Sequence, residues 1–404
     1  MRIAVIGGGA AGFFTALSCA RHYPTYEIIL FEKGNALLSK VKVSGGGRCN
    51  VTNNISSIPQ LLKNYPRGGK ALRKTMEQFS TADTISWFEE HGVTLKTEPD
   101  GRMFPVTDDS QTIINCLVQQ AIASGITIKT GMGVVSIKKN LTNFQIEFVN
   151  KEFLDFDKII IATGGKPNDQ SYQWLRDIGH QIIAPAPSLF TFNIPKSPLD
   201  GLQGLVVKDA LIKIKNTSLQ EKGIVLVTHW GFSGPAILRL SAWGARTLKE
   251  QNYEFSIHFN WLSDKKEEEL RSELLQFKTD HPKKIVLSTA LYQLPKRLWE
   301  RLCALNGIEE TWRWGELPNK NLNKLIEALL RDAYVVEGKT TFKEEFVTAG
   351  GVDLEEINME TMESLIMPGI FFAGEVVDID GITGGFNFQA AWATGWVAGK
   401  HIGK

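Results

Sequence analysis

The stretch "RIAVIGGGAAGFFTALSCARH" (Arg2 to His22) restricts what this chain can fold into more than any other. A short apolar run reads as a buried strand. The spacing Gly7-x-Gly9-x-x-Gly12 reads as a tight turn, and the residues after it as a helix. A second apolar run, "YEIILFEK", reaches Glu32 twenty residues beyond Gly12. Gly7 permits the turn, Gly9 lets the backbone approach a pyrophosphate, and Gly12 lets the helix pack close to the strand. The helix N-terminus adds N–H donors and positive potential for phosphates. Glu32 is placed to accept from ribose hydroxyls, which disfavours a 2′-phosphate and hence NADP in this loop. Strand, loop, helix, strand and acid in this order predict a dinucleotide-binding α/β domain of the Rossmann type. The loop alone leaves NAD and FAD open.

The C-terminus separates these two. "GIFFAGEVVDIDGITGGFNFQAAWATGWVAG" (Gly369 to Gly399) reads as a strand, the pair Gly374-Glu375, a Gly-Gly turn and an alanine-rich helix. Its first N–H groups, at Gly385, Phe386 and Asn387, make a second helix N-terminus at the ligand site. A flavin gains from one, because positive potential stabilises the charge that develops on its pyrimidine edge on reduction. A second glycine segment, "KVSGGGRCN" (Lys42 to Asn50), suits a ligand too long for one loop. Main-chain N–H groups can crowd against it where a Cβ would clash. The strand "KIIIATGG" ends in residues small enough for backbone to pass a cofactor. Cys49 has no partner thiol four or five residues on, since Asn54 stands there, so it is expected to pack and not to relay electrons.

Together GGGAAG (7–12), SGGGRCN (44–50), ATGG (162–165), THWGFSGPA (228–236), TAGGV (348–352) and AGEVVDIDGITGGFNFQ (373–389) resemble the HI0933-like, or aminoacetone-oxidase-like, family of NAD(P)/FAD-dependent flavoprotein oxidoreductases, over the whole chain. The resemblance implies a glutathione-reductase-like FAD domain holding FAD non-covalently and interrupted by an insert. It places Gly7, Gly9, Ala11, Gly12, Glu32, Lys33, Lys40, Ser44, Gly45, Arg48 and Asn50 at the cofactor. Val134 matches the position beside the adenine; Ala162, Thr163 and Gly164 pass nearby. Gly374 and Glu375 match positions at the pyrophosphate and ribityl chain, and Gly385, Phe386, Asn387 and Gln389 positions at the pyrimidine edge.

The insert is where the pattern changes. Residues 188–261 read as a β-rich domain and 262–345 as a helical domain, interrupting an FAD domain of 1–187 and 346–404. Ser263 or Asp264 is the expected cap of "KKEEELRSELLQF", and Ser110 that of "SQTIINCLVQQAIASG", with Ile122 on its buried face. The insert is expected to cover the flavin and supply the substrate pocket, with Trp230, Phe232 and Phe386 as lining and His229 as a weak candidate for proton transfer. No catalytic residue is assigned.

The 404 residues carry 45 basic and 44 acidic side chains, so no overall charge calls for nucleic acid or an anionic membrane. Four scattered cysteines make neither a zinc site nor a disulfide framework and suit a cytoplasmic setting. No metal, membrane or nucleic-acid partner is expected, and the oligomeric state stays open. The expected reaction is hydride transfer between bound flavin and a small organic substrate. No second Gly-x-Gly-x-x-Gly unit is present, so NAD(P)H would dock transiently. An oxygen-using amine or alcohol oxidase, a non-catalytic redox module and a tRNA-modifying flavoprotein are the alternatives.

Overall fold

In the computed structural model, which describes residues 1–195, 197–263, 265–340 and 347–403, the first strand of the chain is central in its sheet. Arg2–Ile6 pairs in parallel with Glu27–Phe31 on one side and Lys158–Ile161 on the other. Thr127–Lys129 extends the sheet beyond Glu27–Phe31, and Ile370–Phe372 beyond Lys158–Ile161. Two short antiparallel strands, Ile357–Asn358 and Glu363–Ser364, complete the seven. Ile3 to Ile6 and Ile159 to Ile161 are all buried, as parallel strands covered on both faces must be. This is the Rossmann-type α/β architecture expected from the glycine loop.

Two helices close one face. Ala10–His22 and the C-terminal helix Phe386–His401 approach closely because the latter presents Gly395 and Gly399. A Cβ at Gly399 would stand 2.6 Å from both Ser18 Cβ and the Thr15 carbonyl oxygen. Phe14 then packs edge-on to Phe79 and Trp87 and against Trp392, at 5.3, 4.8 and 5.2 Å between ring centroids. Each such pair contributes about 0.5–1.5 kcal/mol beyond its buried area. An antiparallel meander, Val134–Lys139, Phe144–Phe148 and Phe153–Phe156, sets Phe148 and Phe156 against Phe31. Ile182–Ser188 pairs with Val347–Val352, which brings the chain back to this unit after the insert.

The chain divides into two compact units, Met1–Ser188 with Phe342–Lys404, and Leu189–Thr341. In the second, a seven-stranded sheet and its helices share one core, so segments 188–261 and 262–345 are not separate domains. The strand Asp332–Glu337, unmarked in the sequence because it follows a helix directly, pairs with Glu254 to Phe259 of the strand Glu254–Asn260. Helix Asn319–Arg331 buries Leu322, Leu325, Ile326, Leu329 and Leu330, the spacing of one apolar face. Within 283–307, part of the segment read as helical, only Lys296–Leu305 is helical. The helix Glu267–Asp280 follows Lys266, not Ser263, and Asp264 lies outside the described residues, as does the expected boundary at 346. The cap of Ser110–Ala123 is Asp109, which accepts from the Gln111 N–H, and Ile122 is exposed where Cys116 is buried.

Candidate functional site

The first loop is built around two contacts that exclude any side chain. Gly7 has φ +119°, and a Cβ on it would lie 2.3 Å from the Ala162 carbonyl oxygen; one on Gly12 would lie 1.8 Å from the Gly7 carbonyl. At Gly9 nothing lies within 4 Å of that position, so the backbone there faces open space at the start of a helix with no side-chain cap. Ala162 is tied to Ile6 by a backbone hydrogen bond, which brings Ala162, Thr163 and Gly164 beside this loop. Gly164, with φ +68°, also faces open space. Glu32 accepts from the Gly8 and Gly34 N–H groups, both at 2.8 Å, and so fixes the two turns that border the opening.

In the second loop, the helical segment Ser39–Gly47 breaks at Ser44, and Gly45, Gly46 and Gly47 take φ of +58°, +70° and +85°. Gly45 is packed against Phe104 and the Asn50 N–H, whereas Gly46 and Gly47 have no neighbour within 4 Å of a Cβ. The Ser44 hydroxyl donates to the Val41 carbonyl. The Arg48 guanidinium lies 2.7 Å from Glu98 and 3.5 Å from Asp108, over the Phe104 ring, so its charge is balanced by protein. Cys49 is fully buried, and burial pushes its thiol up to about 12, which leaves it inert as a nucleophile.

The third segment is the C-terminal loop. Gly374, with φ +74°, rests on Ala11 and donates to the Thr394 hydroxyl, so Ala11 and Gly374 hold each other small. Glu375 accepts from the Thr348 N–H at 2.7 Å and meets Lys40 at 2.7 Å. The turn Gly381–Gly385 is clamped from several sides. The Asn387 amide accepts from the Gly381 N–H and donates to its carbonyl, both at 2.8 Å. Asn53 donates to Gly384, and Tyr65 to the Phe386 carbonyl. Asp380 is fully buried, paired with Arg67 and accepting from Ser188. With the Asn50 amide oriented to satisfy both its ends, its oxygen accepts from the Gly385 N–H at 2.9 Å. The Phe386 and Asn387 N–H groups keep no intrahelical acceptor.

Gln389 is fully buried, and its oxygen accepts from the Thr52 and Thr84 hydroxyls at 2.7 and 2.9 Å, so it braces the helix start. Tyr65, Asn53, Arg67 and Asp380 were missed by sequence reasoning, because their partners lie hundreds of residues away. Met132 and Gly131 pair with the backbone of Glu32 and Gly34, which puts the start of the Val134 strand beside Lys33. In the second unit His229 and Trp230 are exposed, while Phe232 is fully buried against Phe259 and Tyr334.

Comparison with known proteins places this geometry. The chain belongs to the HI0933-like protein Rossmann domain family, whose model matches residues 1–401. It is 30% identical over 407 residues to the "Ribosomal RNA dihydrouridine synthase" of Escherichia coli (strain K12), covering 98% of this chain and 97% of that one. It is 28% identical to the "3-dehydro-bile acid delta(4,6)-reductase" of Clostridium scindens, covering 99% and 98%. A dihydrouridine synthase of the same name from Haemophilus influenzae is 27% identical, covering 99% and 98%. Among solved structures, the 3-ketosteroid-delta4-(5alpha)-dehydrogenase of Rhodococcus jostii RHA1 superposes with TM-score 0.51 at 11% identity, over 100% of this chain and 96% of that one. The FrdA chain of E. coli quinol fumarate reductase gives 0.50 at 14%, over 100% and 70%. The fold is therefore the one shared with these two solved structures. Among the described residues no helix is long and apolar enough to cross a membrane.

FAD fits the residues present. Gly9, Gly46, Gly47 and Gly164 face open space where a long ligand would lie against backbone, while Gly7 and Gly12 are closed. The Thr348 hydroxyl, fully buried, has no hydrogen-bond partner among the described residues.

Proposed function

We propose that this protein is an FAD-dependent reductase that adds a hydride and a proton across a carbon–carbon double bond conjugated with a carbonyl, and that the bond belongs to a uracil ring of ribosomal RNA. The observation that carries the reading is similarity, along nearly the whole chain, to relatives named for one kind of reduction. Dihydrouridine differs from uridine by two hydrogens on a ring double bond conjugated with a carbonyl. A reductase of a 3-dehydro-bile acid acting at Δ4,6 saturates double bonds conjugated with a ketone. One chemistry covers both names. Two relatives from different organisms carry the RNA name, which favours it over the absence of nucleic acid that the balanced charge led us to expect.

Bound FAD would supply the hydride. Residues of the chain do the holding. Gly7, Gly9, Ala11 and Gly12 cradle the diphosphate, and Glu32 and Lys33 hold the adenosine side with Val134. Gly46 and Gly47 leave room for the ribityl chain and ring. Asn50 and Asn387 hold the C-terminal helix so that its first N–H groups meet the pyrimidine edge, where positive potential favours the reduced anion. NAD(P)H is the proposed reductant, docking at the flavin without a domain of its own.

The test is anaerobic. The FAD-loaded protein is titrated with NADH and NADPH while the oxidised flavin band is followed, and ribosomal RNA from cells lacking the gene is then added. Bleaching, reoxidation by the RNA and a mass gain of about 2 Da in one uridine would support the proposal. Reoxidation only by a 3-oxo-4,6-diene steroid would move the protein to the second reading, which the bile-acid reductase similarity favours. No bleaching by either nucleotide, with turnover of amines or alcohols and oxygen, would replace both with an oxidase.

A further inference from the structure

Lys33 and Lys40, from two separate segments, lie close enough to Lys166 for their charges to act on it. Lys33 follows strand Glu27–Phe31, Lys40 opens the segment Ser39–Gly47, and Lys166 follows Gly164 and Gly165. Lys166 has little freedom to leave. Its main-chain N–H donates to the hydroxyl of buried Tyr172 at 2.8 Å. Gly165, just before it, is pressed so closely on its neighbours that a Cβ would stand 2.7 Å from both Glu375 Oε1 and Thr348 Cβ. That Glu375 oxygen is already taken by the Thr348 N–H, and the other by Lys40. Glu32 is committed to the Gly8 and Gly34 N–H groups. Lys33 and Lys40 are exposed and Lys40 is paired with Glu375, whereas Lys166 is half-buried and its ammonium group meets no carboxylate oxygen among the described residues. The neighbouring Thr348 hydroxyl is buried with no partner among the described residues. An unpaired charge drawn partly out of water is costly, so Lys166 with two further lysines nearby fits a site completed by an anion.

We infer that Lys166, which the glycine motifs do not mark, supplies a positive charge to the dinucleotide's diphosphate site. The inference rests on the FAD reading above. In the ligand-free protein, burial and the charges of Lys33 and Lys40 hold the Lys166 ammonium down to about 8, with Glu32 and Glu375 pulling the other way. Asp169 and Asp378 act on Tyr172 beside it, along with Glu375. A diphosphate carrying about two negative charges would draw Lys166 back towards the ordinary lysine range near 10.4. FAD therefore binds the protonated form, and binding takes up a proton wherever free Lys166 has lost one.

The experiment measures FAD binding to the apo-protein between pH 7 and 9, by flavin fluorescence and by calorimetry in buffers of different ionisation enthalpy. The dissociation constant of the unmodified protein should rise by about tenfold across that range, with about half a proton taken up per FAD at pH 8. Lys166→Met should bind about tenfold more weakly at pH 7 with a flat profile and no proton uptake. Lys166→Arg, which keeps its charge throughout, should bind at pH 9 as the unmodified protein does at pH 7. Tight FAD binding that is independent of pH in the unmodified protein, or unchanged in Lys166→Met, would overturn the inference and leave the cofactor reading standing. Absence of FAD binding at every pH would remove both.

Discussion

The Tyr65 hydroxyl donates to the main-chain carbonyl of Phe386 at 2.7 Å, across 321 residues of sequence. The phenol is buried, and burial pushes it well above the usual tyrosine range, so it stays a donor at any working pH. This bond holds the first residue of the C-terminal helix to the segment after the second glycine loop. Tyr65→Phe removes the donor while keeping the ring, which lies edge-on to Phe386 at 6.1 Å. The expected cost is about 1 kcal/mol. Urea unfolding should show a lower midpoint with an unchanged slope. A midpoint equal to that of the unmodified protein would mean the contact contributes nothing.

That contact also marks where sequence reasoning stops. The first loop was legible because its parts are local: strand, Gly7, Gly9, Gly12 and Glu32 fall within 31 consecutive residues, and each has a steric or electrostatic task. The second glycine segment was legible as backbone bare of side chains, whereas the left-handed φ of Gly45 to Gly47 was not read from it. The protein partners of Arg48 and Gln389 were not legible, because a motif gives a residue's place and not its direction. Glu98 lies 50 residues from Arg48, and the Thr52 hydroxyl lies 337 residues from Gln389. Lys166 carried one signal, its place directly after ATGG, but its company of Lys33 and Lys40 exists only once the sheet is assembled. The strand Asp332–Glu337 was hidden for a related reason: its alternation is short and its partner, Glu254–Asn260, is remote.

Two glycine substitutions should separate fold from cofactor. Gly399→Ala inserts a methyl group 2.6 Å from Ser18 Cβ and from the Thr15 carbonyl, in the contact between the two main helices. Overpacking of this kind costs about 1–3 kcal/mol and should lower stability with and without FAD. At Gly46 the same methyl meets nothing within 4 Å, although φ is +70°. The protein should lose only the left-handed penalty of about 1–2 kcal/mol. Its FAD affinity should fall further than that of Gly399→Ala, because the methyl occupies the opening. Equal FAD affinity in the two variants would argue that the cofactor does not run past Gly46.

Stability should depend on pH through His180. Its ring is buried between Glu356, 2.9 Å from Nδ1, and the Ser364 hydroxyl, 3.0 Å from Nε2. That hydroxyl also accepts from the Ile366 and Met367 N–H groups, so its own hydrogen goes to the neutral imidazole. Burial lowers the His180 pKa, and Glu356 offsets this in part. The unfolded chain therefore binds a proton at pH values where the folded one does not. His180 contributes stability above its unfolded pKa of about 6.5, and this is lost as pH falls from there towards the lower folded value. Unfolding free energy should drop between pH 7 and 5 more steeply in the unmodified protein than in His180→Gln. Parallel curves would remove His180 as the cause.

Glu32 joins the fold to the ligand most directly. Its carboxylate accepts from Gly8 on one side and Gly34 on the other, and hydrogen bonds of N–H groups to a charged acceptor contribute about 1.5–3 kcal/mol each. Glu32→Ala should release both turns and remove the proposed ribose acceptor, raising the FAD dissociation constant by about tenfold or more. Glu32→Gln keeps the length and one acceptor oxygen, so its loss should be smaller, and the order Glu, Gln, Ala is the expected outcome. Fluorescence titration of the apo-proteins measures it. Thermal unfolding without FAD tells the two contributions apart: a stability loss with unchanged FAD affinity would reduce Glu32 to a loop brace, and undiminished affinity in Glu32→Ala would count against the ribose assignment.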